Sequence, residues 1–148
     1  MSSEFSKKAV LRRLEHPYRF SGRELVRRLC LSVGLVQESD SRDVVVDILH
    51  SLLRSDVPLS HSEIARSVCT LRQRAGLDLK GCALSNIRRQ TLRLRRFGFV
   101  EQCSRKYRAA NIVDAFENFE KIYLSDMIRR VKDYCKAVES ERNGKDVS

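Results

Sequence analysis

The 148-residue chain contains no tryptophan, only two prolines and six glycines, and few aromatic residues, 7% of the total. So few prolines and glycines argue against a disordered or collagen-like chain, and the apolar fraction of 42% is enough to form a core. Many Leu, Arg, Glu and Ala residues favour a helical protein. The length corresponds to one domain, or to one core domain with flanking helices.

Long hydrophobic segments are also missing. No apolar run exceeds a few residues, so the sequence excludes a transmembrane helix. The first twenty residues lack the apolar segment that follows the basic residues of a signal peptide. We therefore expect an intracellular protein that does not enter the membrane, located in the cytoplasm and associated with the nucleoid.

Motifs of enzymes and metal sites are absent. His16, His50 and His61 lie far apart, with no cysteine or paired carboxylate at metal-ligand spacing. No glycine-rich phosphate loop and no nucleophile elbow is present. The sequence therefore predicts that the protein is not an enzyme and binds neither a metal nor a cofactor.

The cysteines are odd in number and widely spaced, which is typical neither of a disulfide framework nor of a zinc site. We expect all five to be small, reduced side chains: Cys30, Cys69, Cys82, Cys103 and Cys135. One alternative remains for Cys82. Because it precedes a basic helix, positive charge could lower its pKa and make it a redox-sensing thiol.

Acidic residues are scarce in one stretch, from Arg66 to Arg108, which contains twelve lysines and arginines but only Asp78 and Glu101. The local net charge of +10 equals that of the whole chain. We expect this excess to be confined to one surface, as is typical of proteins that bind nucleic-acid phosphates.

Helix boundaries are predicted from capping residues, glycine and proline. A first helix over residues 6–15 should end before Pro17, and a second should begin with a capping box of Ser21 and Glu24 and stop at Gly34. A third helix should begin at Ser41 and end before Pro58. A fourth should run from Ser60 to Gly76, beginning with a second capping box, formed by Ser60 and Glu63.

The most informative segment is a predicted helix over residues 84–97. Its apolar side consists of Leu84, Ile87, Thr91 and Leu94, and its opposite side of Ser85, Arg89, Arg93 and Arg96. Gly98 should end this helix in a left-handed conformation. Two strands, over residues 99–103 and 107–110, should then form a hairpin with its turn at residues 104–106.

This order of elements resembles the winged helix-turn-helix domain. The resemblance rests on Ile87, Leu94, Gly98, Phe99 and Val100, where a recognition helix turns into a wing, and on residues 60–65 as the start of the preceding helix. It implies a mainly α fold with a small β-hairpin wing. Residues 41–110 would be the winged domain, residues 1–40 an N-terminal helical extension, and residues 111–148 a C-terminal dimerisation segment.

The resemblance also implies a function, sequence-specific binding of double-stranded DNA by a transcriptional regulator. The residues expected to read bases are Ser85, Asn86, Arg89 and Arg93. Those expected to contact the DNA backbone, partly through the wing, are Arg96, Arg105, Lys106 and Arg108. Arg88 and Arg95 are expected nearer the buried side of the helix.

The sequence departs from the winged-helix pattern at two places. Thr91 stands where a larger apolar residue is usual, and the loop over residues 76–83 is longer than the usual tight turn. The flanking helices are similar to those of MarR-type regulators, but the longer Asp- and Arg-bearing wing of that group is missing, so the chain is not assigned to it.

The C-terminal segment carries two apolar stripes at helical spacing, offset by one residue near residues 124–126. This indicates either a turn there or one long helix whose apolar side rotates. We expect a homodimer held together by Phe116, Phe119, Tyr123, Ile128, Val131 and Val138.

Three alternative interpretations stay open. In the first, the same fold binds nucleic acid in another way, either RNA or chromosomal DNA without sequence preference. In the second, it is an adaptor for an acidic protein partner. The third concerns the N-terminal part. Residues 21–57 could form a degenerate second helix-turn-helix, since the spacing after Ser21 repeats that after Ser60.

Overall fold

The structure, a computed structural model, describes residues 9–144. Helices dominate and the described strands form one two-stranded antiparallel sheet, so the prediction of a mainly helical chain with a small hairpin is confirmed. The elements are α1 (Gly22–Ser32), α2 (Val44–Arg54), α3 (His61–Arg74), α4 (Leu84–Phe97), β1 (Val100–Cys103), β2 (Lys106–Ala109), α5 (Ile112–Phe119), a π-helical segment (Glu120–Leu124) and α6 (Ser125–Gly144). A short 3-10 turn (Pro17–Arg19) precedes α1.

Helix α2 is the centre of the core. It is apolar on most sides, from Val44 to Leu52, and eight of its residues are buried. Helices α1, α3 and α4 all pack against it, as expected for a helix that is hydrophobic nearly all round. Helix α2 therefore serves as a core element and presents no outward basic face, unlike the second helix of the tandem interpretation.

The sheet is a hairpin in which Val100 pairs with Ala109 and Cys103 pairs with Lys106. Its turn consists of Ser104 and Arg105, one residue shorter than predicted, with Ser104 at a φ of 59°. Before α3, Leu59 also pairs with Tyr107, through two backbone hydrogen bonds of 2.8 Å. This pairing holds the hairpin against the segment that leads into α3.

One of the two predicted capping boxes forms. The Ser60 hydroxyl accepts a hydrogen bond from the Glu63 amide at 3.2 Å, and the Glu63 carboxylate accepts one from the Ser60 amide at 3.1 Å. At Ser21 no such side-chain hydrogen bond is made. Residues with the same spacing thus adopt different caps, because the chain enters α1 through Gly22 at a φ of +56°.

The helix predicted over residues 6–15 is wrong for residues 9–15, and residues 6–8 lie outside the described part. Residues 9–16 have no regular secondary structure. They lie along the end of α1, where the Arg12 amide donates to the Ser32 carbonyl at 2.9 Å and its guanidinium donates to the Leu31 carbonyl at 3.0 Å. These contacts satisfy the last carbonyls of α1, which a separate N-terminal helix would leave open.

A buried ion-pair network joins α1, α2, α3 and the loop before α4. Arg72 of α3 is 1% exposed and donates through Nη1 to Asp43 at 2.9 Å and to Asp47 at 2.7 Å. Arg23 of α1 pairs with the same two carboxylates, at 2.9 and 2.8 Å. Arg72 also donates through Nε to the Asp78 carbonyl at 2.6 Å and through Nη2 to the Ser41 carbonyl at 3.4 Å. The positive charges of Arg72 and Arg23 therefore compensate the negative charges of the two buried carboxylates.

The pKa of Asp43 reports the strength of this network. Burial by itself would raise the pKa of this carboxyl group, but hydrogen bonds from Arg72 and Arg23 outweigh burial and hold it below its usual value. Asp43 also precedes α2 without capping it. The helix begins at Val44, later than the predicted Ser41, and the Asp43 carboxylate before it is committed to the two arginines.

The C-terminal region is one continuous helical rod from Ile112 to Gly144, interrupted only by the π-helical segment. This segment coincides with the offset between the two apolar stripes. A π turn inserts one extra residue into a helix, which compensates for the one-residue offset and brings the two stripes toward the same side of the rod. Of the two possibilities raised by the sequence, a turn or one long helix, the long helix is the one that forms.

Replacing Arg72 tests how much the network stabilises the fold. We expect Arg72→Ala to lower the free energy of unfolding by about 3–5 kcal/mol, because two buried carboxylates would lose a partner. Chemical denaturation measures the change. Arg72→Lys, which keeps the charge but loses the forked geometry, should lie between Arg72→Ala and the wild type.

The matched control is Arg74→Ala, which removes an exposed arginine from the same helix and should change stability by less than about 0.5 kcal/mol. Equal effects of the substitutions at residues 72 and 74 would contradict a stabilising role for the network.

Candidate nucleic-acid interface

Helix α4 has the predicted bounds, Leu84–Phe97, and ends at Gly98 with a φ of 104°. Its buried residues are Ile87, Thr91, Leu94 and Phe97. Thr91 is fully buried, and its hydroxyl donates to the Ile87 carbonyl at 2.7 Å. A threonine is therefore accommodated where a larger apolar residue was expected, because the helix itself satisfies its polar atom.

The opposite side of α4 carries four exposed arginines, Arg88, Arg89, Arg95 and Arg96. Within residues 9–144, none of the four has a carboxylate within the 4.0 Å limit of an ion pair. Residues seven apart on a helix are separated by roughly 10 Å along its axis and lie on nearly the same side. The four arginines thus form two rows along the solvent side of the helix, Arg88 with Arg95 and Arg89 with Arg96, which we call the α4 arginine face.

Arg88 and Arg95 were expected nearer the buried side, with their stems along the core, and both are exposed. The buried side of α4 is centred between Ile87 and Leu94 and includes Phe97, whereas Leu84 is 37% exposed. Taking Leu84 as a core residue placed the centre of the apolar side too close to Arg88. The apolar Phe97 was the sequence signal that could have corrected this.

Two polar residues near the start of α4 have different surroundings. Ser85 is exposed, as predicted. Asn86 is half-buried, donates to the Gly81 carbonyl at 2.7 Å and accepts from Arg89 at 3.2 Å. A Cβ on Gly81 would lie 3.1 Å from the Asn86 side chain and 3.2 Å from Val44. Asn86 therefore anchors the loop to the helix, and its side chain is already engaged.

Arg93 does not project from the helix. Its guanidinium is half-buried and donates to the Leu35 carbonyl at 2.7 Å and to the Gly34 carbonyl at 3.4 Å. Gly34 and Leu35 follow α1 in the chain, so Arg93 joins α4 to the N-terminal part of the fold. The sequence could not indicate this contact, because 58 residues separate the two partners.

The hairpin carries three predicted backbone-contacting residues. Arg105 at the turn is exposed, with no ion pair inside the described part of the chain. Lys106 lies 3.5 Å from the Glu63 carboxylate, and Arg108 pairs with Glu101 at 2.9 Å. Only Arg105 thus presents an unpaired charge, while Lys106 and Arg108 share theirs with acidic neighbours.

His61, the first residue of α3, lies where this hairpin meets α4. Its ring packs against Tyr107 with 4.6 Å between centroids. Desolvation and the nearby charge of Arg88 lower the pKa of His61. Its Nε2 is buried without a hydrogen-bond partner among the described residues. His61 is therefore a neutral packing residue at neutral pH and adds nothing to the positive charge of the surface.

The expectation that the whole basic excess lies on one surface is wrong. Arg72 is buried against acidic residues from outside the basic stretch, and Arg93 is bound to backbone carbonyls. Arg66 and Arg74 line a separate cleft between α2 and α3. The basic residues of this stretch therefore lie in several different environments. Those beside the hairpin that are exposed and make no ion pair among the described residues are the α4 arginine face and Arg105.

The predicted low pKa of Cys82 is also wrong. Burial and a hydrogen bond with the Cys69 thiol raise the pKa of Cys82 to about 11. The nearby Arg72 opposes this rise but is outweighed. Cys82 is therefore protonated and a poor nucleophile at neutral pH. All five cysteines are free thiols.

The six predicted dimerisation residues fall into two groups. Phe119 is 3% exposed, with its ring 4.7 Å from Phe97, and Phe116 and Tyr123 pack against the same core. The side chains beyond the π-helical segment are exposed, at 56% for Ile128, 63% for Val131 and 58% for Val138. The first group therefore belongs to the fold of a single chain.

Comparison with protein-family models, curated proteins and solved structures finds no match. Among residues 9–144, no helix combines the length and apolar character needed to cross a bilayer. In the same part of the chain, no three His, Cys, Asp or Glu side chains are grouped closely enough to hold a metal ion.

The position of Arg93 leads to a prediction about stability. Arg93→Ala should lower the free energy of unfolding by about 1.5–3 kcal/mol, because it removes hydrogen bonds from a charged group to half-buried carbonyls. Arg96→Ala, which removes an exposed arginine from the same helix, is the control and should change it by less than about 0.5 kcal/mol. Thermal or chemical denaturation distinguishes them, and indistinguishable curves for the two variants would exclude the tethering role.

Proposed function

We propose that this protein is a sequence-specific double-stranded DNA-binding protein, a transcriptional regulator that uses a winged helix-turn-helix domain. The observation that carries the proposal is the α4 arginine face. Four exposed guanidinium groups, which make no ion pair within residues 9–144, lie on one side of a helix whose other side is packed against the core, so the helix is a rigid, positively charged rod. Such a rod is suited to the major groove, which accepts an α-helix.

The order and pairing of elements support the winged-helix part of the proposal. Helices α2, α3 and α4 are followed by the hairpin, and Leu59 between α2 and α3 pairs with Tyr107 of β2. A wing hairpin that is tied back to the segment between the first two helices is held beside the third. Here α4 would be the recognition helix and the turn at Arg105 the tip of the wing.

The exposed residues divide into reading and positioning roles. Arg89 and Ser85 lie near the start of α4, the part of a recognition helix that contacts base edges. The forked donors of Arg89 match the O6 and N7 acceptors of guanine. Arg88, Arg95 and Arg96 would contact phosphates on either side, and Arg105 would contact the neighbouring backbone. Asn86 and Arg93 would act indirectly, by holding α4 in place.

Regulation would follow from occupancy of a site by two copies of the chain. A homodimer places two recognition helices on a pseudo-palindromic site and multiplies the affinity of each half. Bound protein would then exclude or recruit other proteins at that site.

The salt dependence of DNA binding tests the electrostatic part of the proposal. For four or five phosphate contacts per chain, the slope of log affinity on log salt should be about −4 per protomer. Raising the salt concentration from 50 to 200 mM should therefore weaken binding by roughly 200-fold per protomer, because released counterions drive association. Fluorescence anisotropy on a labelled duplex measures the slope. A slope near zero would contradict phosphate contact.

Substitutions test the division of roles on duplexes selected from a random library. Arg89→Ala should weaken the selected sequence by about 1–3 kcal/mol and random duplexes much less, because a base contact is lost. Arg105→Ala should weaken both by similar factors, since a phosphate contact carries no sequence information.

The control for these substitutions is Arg129→Ala on α6, which removes an equal charge from an exposed position that the proposal places off the DNA. Equal losses of affinity on selected and random DNA for Arg89→Ala would refute base reading by this residue.

Competing duplex RNA and single strands against duplex DNA separates this function from RNA binding. Tyr107 is buried and the α4 arginine face bears no aromatic residue, so stacking platforms for single-stranded bases are missing from this part of the surface. Duplex DNA should therefore be the strongest competitor. Stronger competition by RNA, or the absence of any nucleic-acid binding, would favour the RNA-binding or adaptor interpretation.

A further inference from the structure

Helix α6 is exposed along almost its whole length, yet it is amphipathic. None of its twenty residues is buried. Ile128, Val131 and Val138 are more than half exposed, and Tyr134, at 69%, lies beside them. Most of the stability of protein helices comes from packing of an apolar face. A helix of this length whose apolar face is uncovered therefore lacks a packing partner within the single chain.

The spacing of these residues identifies the kind of helix that would cover them. The steps are four, three, four and three residues through Leu124, Ile128, Val131, Cys135 and Val138. That is the 3.5-residue average of a coiled-coil seam. A seam of this kind packs against an equivalent seam. A second copy of the same helix offers one with the same spacing and the same side chains.

The charge of α6 favours a second copy over a partner of opposite charge. Residues 125–144 contain five basic and four acidic residues, a net charge of +1, whereas the whole chain carries +10. Two copies meeting through most other surfaces would repel each other. Ion pairs within the helix, such as Arg129 with Asp126 at 3.6 Å and Arg130 with Asp133 at 3.9 Å, leave no strong field along it.

The length of the rod explains why only this part of it is available. Up to the π-helical segment, Phe116 and Phe119 face the core of their own chain. Beyond that segment α6 packs chiefly against the segment itself, so the rod extends past the core and leaves Ile128, Val131 and Val138 exposed. The segment thus separates an intramolecular stripe from an uncovered one.

We infer that the stripe of α6 formed by Ile128, Val131, Cys135 and Val138 is a homodimerisation seam that pairs with α6 of a second copy. The seam is short, because Arg142 occupies the position that would continue it after Val138, so the pairing is concentration-dependent. Phe116, Phe119, Tyr123 and Leu124 pack against the core of their own chain and take no part in it. The inference does not depend on DNA binding, and its test contains no nucleic acid, so the two can fail separately.

Sedimentation equilibrium of the full chain without DNA tests the seam. The wild type should pass from the mass of one chain to that of two as concentration rises. Val131→Glu should raise the dissociation constant by at least ~10-fold, because a charge in the seam loses its hydration on pairing. Ser140→Glu, which introduces the same charge on the opposite face of α6, should leave it unchanged. Circular dichroism checks that both variants stay folded.

A second copy could also dock α6 into an apolar groove of about 680 Å³ that lies beside α1. Its lining includes Leu14, Pro17, Phe20, Leu25, Leu53 and Val113. Val113→Glu therefore distinguishes the two arrangements and should leave dimerisation intact. Dissociation of the dimer by Val113→Glu, equal effects of Val131→Glu and Ser140→Glu, or a wild type that is monomeric at every concentration would each overturn the seam.

Discussion

The buried contact of Arg72 with Asp43 and Asp47 is the constraint on which the arrangement of helices depends. Asp47 is fully buried on α2, the central helix, so its charge requires a partner from another element. Arg72 supplies it from α3, and Arg23 adds a second cation from α1. The same guanidinium holds the Asp78 carbonyl in the loop before α4. One ion-pair cluster thereby relates three helices and the approach to the fourth.

Helix α4 is held at both ends by contacts that keep its outer face free. At its start, Asn86 is hydrogen-bonded to Gly81, and in its second half Arg93 reaches the carbonyls that follow α1. At its end, Gly98 turns the chain and Phe97 packs against Phe119. These contacts occupy two polar residues that would otherwise be candidates for DNA contact. The same contacts fix the axis of the helix, which the proposed reading of a DNA groove requires.

The π-helical segment sets the direction of the apolar residues along the C-terminal rod. In a regular helix the two stripes, which are offset by one residue, would point about 100° apart. The extra residue brings them toward the same side, and the rod then runs past the core, so its first part completes the core through Phe119 and its second part presents Ile128 and Val131 outside it. The proposed DNA surface and the proposed dimer seam therefore lie on separate elements.

Local patterns determined most of the secondary structure: the α4 boundaries, Gly98, the Ser60 capping box and the hairpin all depend on residues a few positions apart. Tertiary structure decided which polar residues remain free. Arg72, Arg89 and Arg93 are equivalent as charges in the sequence. In the structure Arg72 pairs with buried carboxylates and Arg93 donates to carbonyls that are distant in the sequence, so only Arg89 of the three stays exposed. A charged side chain interacts with whatever lies close to it in space, and partners that are 25 to 58 residues away in the sequence leave no local periodic signal.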